Sequence, residues 1–150
     1  EISRKRDETA AGPAGRGVTM DRVIIEYLPE DKELTGAKRW VDEKGEFVQI
    51  SWREDIGHLA FFELRRGQFR GGHYHERKEE VFYVVRGTIK AVFADLDGGG
   101  KETCLLEKGM KVRVGTRVGH RFEGIEDSLV VEYSPQYYDG TDASRIDLGG

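Results

Sequence analysis

From Asp21 onward, apolar and polar residues alternate in short runs with a period of two, the pattern of strands that bury one face and expose the other. The runs Arg22–Glu26, Glu46–Arg53, His58–Arg65, Glu80–Val85, Thr88–Asp95, Glu102–Leu106, Lys111–Val114, His120–Gly124 and Leu129–Tyr133 read as strands. Turn-forming residues separate them, among them Asp42-Glu43-Lys44-Gly45, Arg66-Gly67, Arg86-Gly87, Asp97-Gly98-Gly99-Gly100 and Lys108-Gly109. Pro29–Glu33 reads as a loop or a brief helix, and no helical stripe of comparable length competes with the strands. Many short strands with regular turns predict an all-β sandwich or barrel. Residues 1–19 lack any periodicity and are Ala/Gly/Pro-rich after a charged start, which predicts a flexible N-terminal arm ahead of one domain over residues 20–150.

Composition narrows the function classes. A chain of 150 residues suffices for one hydrophobic core. The net charge of -4 comes from mixed signs without a basic stripe, so nucleic acid is not an expected partner. No run approaches the roughly 20 apolar residues that cross a bilayer, and no apolar signal segment is seen, so no membrane partner and a cytoplasmic location are expected. The single cysteine, Cys104, lies in an apolar run and reads as a small buried hydrophobe.

The chemistry concentrates in the histidines. Of four in the chain, His73, His75 and His120 fall in two segments of similar construction. His73 and His75 stand at i and i+2, so on an extended strand both imidazoles point to one side and Tyr74 to the other. Glu80 opens an apolar strand and offers a carboxylate, while His120 pairs with Phe122 by the same two-residue rule. Three imidazoles and a carboxylate suit one divalent transition metal, such as Zn, Mn, Fe or Ni, with coordination positions left open for a small-molecule substrate. His58 stands outside any such motif and reads as structural.

These residues carry a resemblance to the cupin superfamily. Gly67, His73, His75, Glu80 and Gly87 match the first cupin motif with no spacing error, and of the neighbouring carboxylates only Glu80, not Glu79, keeps the separation to Gly87. Gly109 and His120 keep the second motif's separation, whereas Gly115, Arg117 and Gly124 replace its Pro, Gly and Asn. The resemblance implies a single jelly-roll β-barrel with His73, His75, Glu80 and His120 as metal ligands. The segments Gly57–Phe62 and Arg70–His75 are similar to cupins of bacterial surface-sugar and capsular polysaccharide biosynthesis. That likeness implies a metal-dependent enzyme acting on a sugar or sugar acid, of isomerase, epimerase or lyase type. An Fe(II)-dependent dioxygenase and a non-catalytic metal- or ligand-binding module remain the alternatives, because the same ligand set serves all three. Glu132 and Tyr133 are the candidates for proton transfer. Arg117, Arg70 and Tyr137 are the candidates for substrate binding, with Arg117 placed to meet an anionic group. A homodimer is expected, with residues 1–26 adding a strand to the partner.

Overall fold

The computed structural model describes residues 20–149, so the expected arm over residues 1–19 lies outside the described residues. Twelve strands follow in order: β1 (Val23–Tyr27), β2 (Lys38–Asp42), β3 (Gly45–Gln49), β4 (His58–Leu64), β5 (Phe69–His75), β6 (Glu80–Arg86), β7 (Thr88–Asp95), β8 (Gly100–Glu107), β9 (Met110–Val114), β10 (Val118–Gly124), β11 (Ser128–Ser134) and β12 (Ala143–Arg145). One five-stranded antiparallel sheet runs β1-β9-β6-β11-β4, a second runs β12-β5-β10-β7-β8, and β2 and β3 form a separate hairpin. The inner faces of the two large sheets pack on each other through Phe82, Val84, Val112, Val114 and Val130 from the first sheet, and Ile89, Ala91, Phe93, Leu106 and Phe122 from the second. This is an all-β jelly roll. Deleting an inner ring such as Phe122, which is fully buried, would cost about 3–5 kcal/mol.

The outer face of the first sheet is also covered. Tyr83 and Tyr133 point outward, opposite in parity to Phe82 and Glu132, yet both are buried, because residues 28–57 fold back over them. Lys111 Nζ donates to the Ile50 carbonyl at 2.8 Å, and the Tyr133 hydroxyl donates to Glu54 at 2.8 Å. Within that layer Trp40 stacks on Phe47, with ring centroids 4.3 Å apart.

Three strands escape the alternation pattern. β2 joins β3 across the expected Asp42–Gly45 turn, β5 is rich in glycine, and β12 has only three residues held against β5. The expected run Glu46–Arg53 ends at Gln49, because the chain turns there and Arg53 takes a left-handed φ of 55°. Residues 29–33 form a loop, with Glu30 bridged to Arg39. Cys104 is half-buried against the core, and burial pushes its thiol up to about 11, the protonated and unreactive form.

The departures from the second cupin motif have local causes. The Gly115 amide donates to the Arg22 carbonyl at 2.7 Å, a bond that the motif's proline could not make. At Gly124 a side chain would meet the Arg65 carbonyl oxygen at 2.4 Å. Arg117 occupies the motif's glycine position and retains the left-handed backbone associated with glycine, with φ of 59°.

Candidate metal centre and pocket

The site lies between the two sheets. β5 carries His73 and His75, β10 carries His120 directly opposite His73, and β6 brings Glu80 across from the first sheet. The ring centroids of His73 lie 5.0 Å from His75 and 4.7 Å from His120. Ligand-capable atoms of His73, His75 and Glu80 fall within 4.8 Å of one another. Glu80 Oε1 sits 3.3 Å from His75 Nε2 and 3.1 Å from His120 Nε2. Glu79 instead turns outward to Arg113 at 3.2 Å.

The character of these contacts depends on which ring nitrogen carries each proton. His120 Nδ1 lies 3.4 Å from the Val118 carbonyl, which would accept a proton carried there, and His75 Nδ1, buried without a directed hydrogen bond, lies 3.5 Å from Asp142 Oδ2. With the protons there, each Nε2 presents a lone pair to Glu80 Oε1, itself an acceptor that is buried without a directed hydrogen bond. Three acceptors that converge on one point fit a cation better than they fit one another. Burial, followed by the neighbouring His120, lowers the His73 pKa to about 4, so its imidazole is neutral and able to ligate. Burial opposes ionisation of Glu80, but with the imidazole protons of His120 and His75 on Nε2 instead, donation from these rings outweighs it and holds the carboxyl well below its ordinary range, and a cation in the place of those protons would act in the same direction.

The cluster forms one end of a cavity of about 300 Å³, whose remaining lining includes Phe62, Phe82 and Phe122 as apolar walls and Arg70, Lys78, Glu132 and Tyr138 as polar ones. Lys78 is buried, with Nζ 3.4 Å from Glu80 Oε2 and 5.2 Å from the Tyr138 ring centroid. Glu132 lies on β11 with inward parity beside Phe82, and its carboxylate is 3.2 Å from His58 Nε2. His58 has the inward parity of Ala60 and Phe62, so the residue read as structural in fact supports a cavity carboxylate.

The other expected site residues divide. Arg70 lines the cavity, its Nε donating to the Glu63 carbonyl and its guanidinium lying over Phe62. Tyr133 does not reach the cavity: it points to the opposite face of the sheet, where its hydroxyl is tied to Glu54, so it is set aside as a proton-transfer group. Arg117 also lies outside the cavity lining, because Glu76 and Asp97 hold its guanidinium at 2.9 and 3.1 Å on the exterior rim. Tyr137 is 74% exposed and likewise lies outside the lining, while its neighbour Tyr138, itself 62% exposed, lines the cavity. Lys78 carried no signal in the sequence beyond its place between two ligands, and Tyr138 none beyond its place in a tyrosine pair.

Residues 40–131 match the family described as the polysaccharide biosynthesis C-terminal domain. The chain belongs to that family. Such a domain is found here at 30% identity over 142 residues to the UDP-2-acetamido-2,6-beta-L-arabino-hexul-4-ose reductase of Pseudomonas aeruginosa. The match takes in 91% of this chain but 38% of that protein, so the polysaccharide biosynthesis domain spans well under half of the relative's length. Among solved structures, the sugar 3,4-ketoisomerase of Thermoanaerobacterium thermosaccharolyticum in complex with TDP aligns with a TM-score of 0.69 at 18% identity, covering 85% of this chain and 90% of the other. A dTDP-4-dehydrorhamnose 3,5-epimerase from Sulfolobus tokodaii aligns with a TM-score of 0.66 at 20% identity, covering 82% of each chain. These likenesses show that the domain shares its jelly-roll fold with those two proteins. No helix among the described residues is long and apolar enough to cross a membrane.

Proposed function

We propose that this domain is a sugar-modifying enzyme that epimerises or isomerises a keto-sugar carried on a nucleoside diphosphate, with one divalent transition metal held by His73, His75, Glu80 and His120. The observation that carries this reading is the cavity, in which the convergent imidazoles and carboxylate of the cluster share one lining with Lys78, Glu132 and Tyr138. When bound, the metal supplies Lewis acidity toward a carbonyl or hydroxyl oxygen.

The chain's own groups account for the proton movements. Glu132 accepts the proton from the carbon beside the carbonyl, and His58 holds that carboxylate in place. The Lys78 ammonium, desolvated within the cavity, meets negative charge as it develops on the enolate oxygen. Delivery of a proton to the opposite face by Tyr138, with Glu132 keeping the one it took, gives an epimer; return of the Glu132 proton to the former carbonyl carbon, with the neighbouring hydroxyl proton passing to the enolate oxygen, gives an isomer. Phe62, Phe82 and Phe122 keep bulk water from competing for it. Arg70, a cavity arginine with no carboxylate partner among the described residues, provides charge-assisted donors for the substrate's anionic group. The sugar class draws support from the reductase and the TDP-bound ketoisomerase, whose names describe nucleotide-linked sugars.

The test is a panel of nucleotide-linked keto-sugars, uronates and hydroxy acids incubated in deuterated water and followed by NMR with and without oxygen. Deuterium should enter the carbons flanking the carbonyl, and the His120→Ala variant should lose this exchange. Turnover that ceases without oxygen would move the assignment to a dioxygenase. Tight ligand binding with no exchange on any substrate would make the domain a binding module. We further propose a homodimer, on the ground that edge strand β4 leaves Leu59 and Phe61 exposed on its outer side. A monomeric mass by light scattering at micromolar concentration would refute it.

A further inference from the structure

Asp142 ends a single 3-10 turn, Gly140–Asp142, far along the chain from the ligand cluster, yet its carboxylate is almost fully buried. Its Oδ1 accepts from the backbone amides of Glu76 and Arg77 at 3.2 and 3.1 Å, and Oδ2 accepts from the Arg77 amide at 3.3 Å. The same Oδ2 stands 3.5 Å from His75 Nδ1. Residues 76 and 77 belong to the short connection that separates His75 from Glu80. Just beyond Asp142, Ala143 pairs with His75 as β12 adds to β5.

We propose that Asp142 is a positioning residue for the metal centre: it latches the connection between His75 and Glu80 and fixes the ring orientation of His75, so that the C-terminal segment sets metal affinity. This inference rests on the metal reading above. Burying a carboxylate is costly unless its oxygens are satisfied, and here two of the donors are amides of the ligand loop. With that loop pinned, His75 Nε2 and Glu80 Oε1 are already close before any cation arrives, so binding need not order them. A carboxylate behind the Nδ1 of a ligating histidine also keeps the proton on that nitrogen and the lone pair on Nε2. Sequence offered no access to this role, because Asp142 lies in a polar C-terminal stretch with no motif around it.

The experiment titrates zinc ion into the metal-stripped native chain and the Asp142→Ala, Asp142→Asn and Asp127→Asn variants, with calorimetry for affinity and hydrogen exchange for the Glu76 and Arg77 amides. Asp127 also accepts a backbone amide, that of Arg66, but at a turn away from the cluster, so it controls for the loss of an ordinary aspartate cap. Asp142→Ala should weaken zinc binding by about tenfold to a hundredfold and speed exchange at both amides, while Asp127→Asn leaves both readouts unchanged. Asp142→Asn keeps one acceptor for the loop but can turn an NH2 toward His75, so it should bind less tightly than the native chain and move the His75 ring nitrogen shifts. If Asp142→Ala fails to fold, Asp142→Asn decides. Native affinity in every folded Asp142 variant would overturn the latch and leave the metal reading standing. Failure of the native chain to bind zinc would overturn both.

Discussion

The first sheet carries a charged cluster on each of its faces, and the two are opposite in kind. On the outer face Glu54 accepts from Arg113 at 2.7 Å, from the Tyr133 hydroxyl and from Ser51 at 2.8 Å, and lies 3.6 Å from Lys111. Every acceptor there meets a donor, and charges are matched. On the inner face, Glu80 Oε1 is buried without a directed hydrogen bond, 3.3 and 3.1 Å from two imidazole nitrogens that would each direct a lone pair at it with their protons on Nδ1. Both clusters carry the cost of desolvating polar groups, but only the outer one offsets it with donors on both carboxylate oxygens. A satisfied cluster fastens the 28–57 layer to the sheet; an unsatisfied one is arranged around something that binds.

Removing single groups from each face should separate these roles. The largest effect is expected from Glu132→Gln, which should lower proton exchange on the substrate by about 10²- to 10⁴-fold while metal content stays native. Measured exchange at the native rate would remove Glu132 from the chemistry. Next, His75→Ala or His120→Ala should cut zinc affinity at least as far as losing an outer-shell partner does, about a hundredfold, whereas His58→Ala should leave it intact. Equal retention by all three would show that the ligand set is different.

On the outer face, Glu54→Gln should reduce stability by about 1 kcal/mol in urea unfolding, because the cluster is partly solvated, without touching metal affinity. A loss of metal in that variant would break the separation between the faces. The smallest effect is the pH dependence of the same difference. Although partial burial opposes it, donation from Arg113, Tyr133 and Ser51 lowers the Glu54 pKa from 4.5 to about 2. Because the folded value is the depressed one, its stabilisation is complete above about pH 4.5 and is lost as pH falls through about 2. The gap in melting temperature between the native chain and Glu54→Gln should therefore hold from neutral pH down to about 5 and close toward pH 2. A gap that persists at pH 2 would assign the effect to packing.

Most of the strand layout was legible because alternation is a local property: β7 and the turn after β2 fall where the pattern puts them. β5 was harder to read, because its consecutive glycines, Gly71 and Gly72, take φ of 93° and 80° and interrupt the alternation that marks a strand. The pair Glu132 and Tyr133 shows a different limit. Their opposite parity is written in the sequence, but the choice of which faces the cavity is made only when β11 docks between β6 and β4. Tyr137 and Arg117 lie outside the cavity lining for a related reason: a rim position in sequence does not reveal whether a side chain lines the cavity, as Tyr138 does, or is captured outside it, as Arg117 is by Glu76 and Asp97.

The sequence by itself determined that His73 and His75 share one face of a strand, a short-range consequence of strand geometry, and its resemblance to the cupin motifs added Glu80 and His120 to a candidate ligand quartet. Only the tertiary structure decided what surrounds that quartet. Lys78, the His58 and Glu132 pair, and Asp142 acquire their meaning from contacts made across the barrel, between segments up to 74 residues apart. Such contacts leave no periodic trace in the chain, because they depend on how the sheets close on one another rather than on the conformation of any one strand.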